Sequence, residues 1–355
     1  MQKVNAIELE KIIEEMVIKN KAPIMIWGAP GIGKTQIVHD VMKKNGFEVL
    51  DLRLAYYEET DLLGIPVKDG NDGFKFLKYN MLPKMGKGVF FFDELTHAKP
   101  HIQGLIFQLI LDAKIEDYNV PEGWQYFVGA SNRTSDRSIS YDMPSGLKTR
   151  FLGGHYELVP DIEAWKKWAL QNNINPILIS FLEYQEKNDK ISWLYRVDED
   201  GTILTPRLWA TGVNYALSLN EGIREKVLGG IMGQSNTATL IAYIKRVKHL
   251  PDIDKILKGD YKWFDDIKNE DNKIDLYNIL INGMVSRVNN NKSLLDNALR
   301  TMWNIANDEL IIAGLSSLVK TIGVQPFLNS REFNEKYKKY AKYVVEWKDD
   351  DSKGV

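Results

Sequence analysis

Eight residues, Gly28-Ala29-Pro30-Gly31-Ile32-Gly33-Lys34-Thr35, join a short apolar run to an amphipathic segment. The run before them, Pro23-Ile24-Met25-Ile26-Trp27, has the character of a fully buried strand. After them Ile37, Val38, Val41 and Met42 recur at helical spacing until Asn45-Gly46, a helix-stop signal. The eight residues fit G-x-x-x-x-G-K-[ST] in the strand-to-helix context that this pattern requires. Its glycines let backbone N–H groups turn inward at a helix N-terminus and cradle phosphate oxygens. In such a cradle Lys34 reaches the β- and γ-phosphates of a nucleotide, and the Thr35 hydroxyl binds Mg²⁺.

A second segment completes the same chemistry. Val89-Phe90-Phe91-Phe92 is apolar without alternation, as a strand covered on both faces must be. Asp93 and Glu94 therefore emerge at its C-terminal end, where open α/β sheets bind ligands. Asp93 suits Mg²⁺ through the metal's shell, and Glu94 suits polarising the attacking water. Alone the pair could be a solvated acidic turn; beside a phosphate loop the catalytic reading prevails.

Strand and helix patterns alternate from 22 to about 158, which predicts an α/β fold: a parallel sheet with helices on both sides. Asn5 and Glu8 begin a helix over 5–19 in capping-box fashion. Residues 47–54 make a second strand, and 55–87 read as a helix followed by a hairpin. Pro100 opens a helix with Ile102, Leu105, Ile106, Leu109 and Ile110 on one face. Lys114–Val120 and Gln125–Ala130 read as two further strands. From Pro160 onward strand signals nearly vanish. Helices are expected from Pro176 and Pro206 and near 221–233, 236–250, 276–288, 292–306, 308–321 and 331–346. The expected division is a core over 1–158, a helical lid over 159–250, additional helices over 251–347 and a charged, disordered tail over 348–355.

Composition narrows the function classes. Lys plus Arg (46) nearly balances Asp plus Glu (48), so net charge −2 gives no global attraction to nucleic acid or an anionic membrane, though a local patch stays open. With no cysteine in 355 residues, disulfides, thiolate nucleophiles and Cys-ligated metal centres are excluded. No uncharged apolar run approaches a membrane span, and the first fifteen residues are charged where a signal peptide needs an apolar stretch. A soluble, cytoplasmic protein is the expectation. His97 and His101 lie four apart, but Pro100 intervenes and no carboxylate–histidine metal pattern forms. Trp165, Trp168 and the aromatics near 263–264 read as core, and Lys245, Arg246 and Lys248 as a solvated helix face.

On GAPGIGKT and VFFFDE the chain resembles the AAA+ ATPases, most closely their MoxR-type branch. The two stretches match that family's Walker A and Walker B motifs. DLLGIP (61–66) with its hairpin is similar to the insert interrupting the second core helix of this branch. Lys114–Val120 leading into Tyr126-Phe127-Val128-Gly129-Ala130-Ser131-Asn132 is similar to the hairpin before the sensor-1 strand. The resemblance covers roughly 5–220. It implies a P-loop NTPase (AAA+) core, ATP and Mg²⁺ as ligands, and a ring of identical subunits, a hexamer.

The resemblance also implies roles for single residues. Asn132 becomes sensor 1, holding the lytic water or the γ-phosphate. Arg150, at the end of Met143-Pro144-Ser145-Gly146-Leu147-Lys148-Thr149-Arg150, becomes the arginine projected into the neighbouring subunit's nucleotide; Arg137 is a second candidate. Arg207 in Thr205-Pro206-Arg207 becomes the sensor-2 arginine of the lid. Bland alternatives stand beside these: a turn residue for Asn132, a surface ion pair for Arg150, a solvated helix start for Arg207. Two departures bear on subunit coupling. The family usually continues Asp-Glu with Ile-Asn-Arg-Ala, whereas Leu95-Thr96-His97-Ala98 stands here; and Arg133 replaces a common proline. The implied function is remodelling or maturation of a protein client, often one with a von Willebrand factor A domain. A DNA-directed AAA+ ATPase, of clamp-loader or restriction-motor type, and a nucleotide-gated scaffold are the alternatives.

Overall fold

The computed structural model describes residues 1–69, 73–77, 81–133, 141–247, 249–305, 307–337 and 340. Arg137, Lys248 and the 348–355 tail lie outside the described residues. The chain forms two compact units, Met1–Asp161 and Ile162–Val355.

The first unit opens with β1 (Gln2–Val4), a three-residue strand that carries no apolar signature of its own. α1 (Ala6–Ile12) starts at the expected capping box: Glu8 N–H donates to Asn5 Oδ1 at 3.0 Å, and Asn5 N–H to Glu8 Oε2 at 2.8 Å. The helix loosens into a π-helical stretch over Ile13–Lys19. Then come β2 (Ile24–Trp27), α2 (Lys34–Lys44), β3 (Glu48–Arg53) and α3 (Glu59–Leu63). β4 (Ile65–Asp69) and β5 (Gly73–Leu77) pair antiparallel, giving the expected hairpin. β6 (Gly88–Asp93) leads to α4 (Pro100–Asp112), which Pro100 opens as read.

The segment 114–120 is not one strand. It is a hairpin of β7 (Lys114–Ile115) and β8 (Tyr118–Asn119), reversed where Glu116 takes φ 49°. β9 (Phe127–Ser131), α5 (Ser145–Lys148) and β10 (Gly154–Leu158) finish the unit. The main sheet has the order β1-β10-β2-β9-β6-β3, with every neighbouring pair parallel. Phe90 and Phe92 of β6 share a core with Ile102, Ile106 and Leu109 of α4, while Phe91 between them meets His39 of α2 edge-on. Helices therefore cover both faces, which is why this strand reads as an unbroken apolar run.

Among its described residues the second unit is helical apart from one hairpin. Helices at Ile162–Gln171, Pro176–Asn188, Lys273–Asn290, Leu295–Met302, Asp308–Ile322 and Arg331–Lys336 carry most of its core. Lys273–Asn290 is buried on nearly all sides, and its polar Asn282 is satisfied by donating to Ser180 Oγ at 3.0 Å and Glu183 Oε2 at 2.9 Å. The expected lid is not all-helical: Arg196–Val197 pairs antiparallel with Ile203–Leu204. The 221–250 pattern is one element, Glu221–Arg246, broken at Gly233 (φ 77°, ψ 162°), where the two expected segments part. Pro206–Leu208 passes through a π-helical turn, Trp209–Val213, to Asn214–Ala216. One hydrophobic core runs from Trp165 to Tyr340 on both sides of residue 250, so a lid boundary there is a proposal from sequence. No described helix is long and apolar enough to cross a membrane.

Candidate functional site

Sheet order explains which side chains meet. β9 lies between β2 and β6, so the loop after β2, the end of β6 and the residue after β9 share one edge of the sheet. The loop after β2 is the glycine cradle. Gly28 allows close packing: a Cβ there would stand 2.5 Å from Ile32 Cδ1 and 3.0 Å from the Leu158 carbonyl. Gly33 takes φ +106° as the N-cap of α2 and contributes no side-chain cap. The first-turn N–H groups of α2 are thus left without a capping side chain, on the positive end of the helix dipole.

Lys34 is only 8% exposed, and a buried ammonium must be paired. Its Nζ donates to the carbonyls of Gly28 (2.7 Å) and Ala29 (3.1 Å) and to Asn132 Oδ1 (2.9 Å). Next in the helix, Thr35 Oγ1 donates to Asp93 Oδ2 at 3.1 Å. The other Asp93 oxygen accepts the Glu94 N–H at 3.0 Å. Glu94 itself is half-buried in the left-handed region (φ 55°, ψ 37°), unusual for a residue with a side chain. The structure thus brings Lys34, Thr35, Asp93 and Asn132 together by direct hydrogen bonds, with Glu94 next in the chain to Asp93.

The donor set fits a nucleotide with Mg²⁺. A hydroxyl and a carboxylate are the hard oxygen donors that Mg²⁺ takes, and Mg²⁺ is commonly held by one or two protein groups plus substrate phosphates. No cluster of three or more His, Asp or Glu able to cage a metal occurs among the described residues. Neighbouring charge shapes the same edge. Asp51 of β3 pairs in register with Phe91, two positions before Asp93 on the adjacent strand. Burial, and secondarily the negative charge of Asp93, pushes the Asp51 carboxyl above its ordinary pKa, against the pull of Arg53 and His39.

The arginines of the first unit have contacts of their own. Arg150 follows α5, and its guanidinium lies over the Phe107 ring of α4, 5.2 Å from the centroid, with Nε buried and without a hydrogen-bond partner among the described residues. Arg133 is drawn to β10, its Nη1 3.1 Å from Glu157 Oε1. Arg207 belongs to the second unit. It is exposed in a first helical turn capped by Thr205, whose hydroxyl accepts Leu208 N–H at 3.1 Å.

Sequence reading missed two long-range ties. Trp27 Nε1 donates to His155 Nδ1 at 3.2 Å, and His155 Nε2 lies 3.0 Å from the Lys148 carbonyl, linking the strand before the cradle to the end of α5. Ser131 and Thr96 share a buried hydroxyl contact. Neither leaves a local signal, because both depend on strand order.

No family model matches the chain. A curated relative, the replication factor C large subunit of Pyrobaculum calidifontis, is 32% identical over 102 residues, 28% of this chain and 23% of that protein. The chain therefore matches less than a quarter of that relative's length. Among solved structures, a point mutant of Thermotoga maritima RuvB aligns at 16% identity over 72% of this chain and 76% of that one, with a TM-score of 0.41. NtrX from Brucella abortus in complex with ATP aligns at 12% identity over 84% and 68%, also at 0.41. At these levels neither structure assigns an activity. The parallel core sheet with strand order β1-β10-β2-β9-β6-β3 and the glycine cradle between β2 and α2 give the first unit an α/β fold of the P-loop NTPase type, and a largely helical unit follows it in the chain.

Proposed function

We propose that this chain is an Mg²⁺-dependent ATPase that works as a hexameric ring and remodels or matures a protein client, as the MoxR-type branch that it resembles does. The observation that carries the ATPase reading is the Thr35–Asp93 hydrogen bond beside the Lys34–Asn132 bond, which gathers both motifs at one sheet edge. The cradle N–H groups and Lys34 bind the phosphates. Thr35 and Asp93 would hold Mg²⁺, which would supply positive charge to offset that of the phosphates. Glu94 orients a water on the γ-phosphorus and takes its proton as the bond to the ADP oxygen breaks. Asn132, whose Oδ1 accepts from Lys34, keeps its amide N–H groups for the water or the γ-phosphate. Arg150 acts on a neighbour's nucleotide and Arg207 closes from the lid; both roles come from the resemblance. A client with a von Willebrand factor A domain is the partner class that the resemblance suggests.

A DNA-directed motor is the second reading, favoured by the curated relative's name, replication factor C large subunit. Charge weighs against it, since Lys plus Arg and Asp plus Glu nearly cancel. Phosphate release from Mg-ATP, measured with and without duplex and single-stranded DNA across a salt series, separates the readings. Turnover indifferent to DNA supports the protein-client reading. Stimulation that falls steeply with salt supports the DNA reading. Absence of any turnover contradicts both.

A further inference from the structure

The loop after Glu94 departs from the pattern that the chain otherwise resembles, and Thr96 in it has a specific partner. Ser131, the last residue of β9, is 1% exposed, and Thr96 is 4% exposed. Their hydroxyls share a hydrogen bond, and the Thr96 N–H also points at Ser131 Oγ, 3.4 Å away. Buried this far from water, each hydroxyl depends on the other for a partner.

Ser131 is also where the other site segments converge. Its carbonyl accepts the N–H of Gly28, the first cradle residue, at 3.2 Å. The next residue is Asn132, which accepts from Lys34. Two residues before Thr96, Glu94 holds a left-handed backbone that a residue with a side chain keeps only where its surroundings enforce it. The enforcing contacts are visible. Glu94 N–H is held by Asp93 Oδ1 at 3.0 Å, and the Glu94 carbonyl accepts His97 N–H at 2.8 Å. The Thr96 carbonyl accepts Tyr141 N–H at 2.7 Å, and its side chain is held by Ser131.

We propose that the buried Thr96–Ser131 hydroxyl pair is a positioning device that fixes the Glu94 carboxylate relative to the cradle and Asn132. This rests on the ATPase reading of the site. Neither hydroxyl touches the nucleotide; each acts through Glu94 and Asn132. Loss of the pair frees the turn carrying Glu94 while leaving the phosphate-binding groups in place. Turnover then falls and nucleotide affinity does not, because a displacement of about 1 Å in a reacting group can cost on the order of a hundredfold in rate.

The test compares kcat and the dissociation constant for Mg-ATP in wild type, Thr96→Val, Thr96→Ser, Ser131→Ala and the Thr96→Val/Ser131→Ala double variant, each normalised to folded protein. Thr96→Val keeps the shape and removes the hydroxyl. Its kcat should fall about ten- to a hundredfold with affinity within about twofold of wild type, while Thr96→Ser restores most of the rate. Ser131→Ala should match Thr96→Val, and the double variant should add nothing further, as expected of two groups acting as one unit. Should Thr96→Val not fold, Ser131→Ala gives the same reading by deleting a single oxygen. Wild-type kcat in Thr96→Val or Ser131→Ala overturns the proposal, as does a parallel loss of rate and affinity that Thr96→Ser does not rescue. A wild-type protein that hydrolyses no ATP sinks the ATPase reading itself, and the positioning role with it. Turnover in wild type with no effect of either variant sinks the positioning role alone.

Discussion

Glu94→Gln is expected to bind Mg-ATP as wild type does and to hydrolyse it about 10²–10⁴-fold more slowly, the range over which a positioned general base contributes. The substitution keeps size and hydrogen-bonding reach but removes the oxygen that can take a proton. The groups proposed to bind phosphate are left undisturbed. Lys34 is held by Gly28, Ala29 and Asn132, and Thr35 by Asp93, none of which involves the Glu94 side chain. The Glu94 backbone, with its N–H on Asp93 Oδ1, is indifferent to the change. Single-turnover hydrolysis beside a binding isotherm checks this. Equal loss of rate and affinity would instead assign Glu94 a structural role in holding the loop.

The second large effect concerns Arg150. Arg150→Ala should leave nucleotide binding intact and lower turnover by about 10³–10⁵-fold, the contribution of arginines that offset charge on a transferring phosphoryl group. Within its own chain the guanidinium rests on Phe107, and the described site residues bond to one another without it. A subunit-mixing experiment isolates action in trans. Glu94→Gln and Arg150→Ala subunits, each inactive alone, should regain measurable hydrolysis when mixed, because an intact Glu94 then sits beside a neighbour bearing Arg150. No recovery in mixed rings that demonstrably exchange subunits would place Arg150 in its own chain's chemistry or outside it.

The parts of this site that sequence makes legible are those in which local pattern and chemistry coincide. The cradle is bounded by a buried strand and an amphipathic helix, so its context is visible over a few turns of chain. Val89–Phe92 announces a covered strand because both faces need apolar cover, and the structure supplies α4 on one side and α2 on the other. What the sequence does not carry is strand order. Thr35 meets Asp93, and Lys34 meets Asn132, because β9 intervenes between β2 and β6. That order also creates the Thr96–Ser131 and Trp27–His155 ties, across 35 and 128 residues.

Short elements leave no pattern in the sequence for a different reason. β1 has three residues and β7 and β8 two each, too few for a period to show. The hairpin at Arg196–Leu204 is fixed by tertiary contacts instead. Arg196 lies over Trp193, 4.1 Å from the ring centroid, and pairs with Asp198 at 2.7 Å; Asn236 beyond the Gly233 break donates to Asp198 Oδ2 at 2.7 Å. Lys34 shows the limit of reading roles from type alone. Its motif foretells a phosphate ligand, but only the structure shows the ammonium buried and already held by carbonyls of the loop that it serves.

Calorimetric titration of wild type and Lys34→Ala with ATP in the presence of Mg²⁺ asks most directly whether a triphosphate occupies the glycine loop. Wild type should saturate at one nucleotide per chain. Lys34→Ala should remain folded and lose at least about tenfold in affinity, since a charge-assisted contact to phosphate contributes on the order of 1.5–3 kcal/mol. Equal affinity in the two proteins, or no binding to either, would contradict the placement of the nucleotide at residues 28–35.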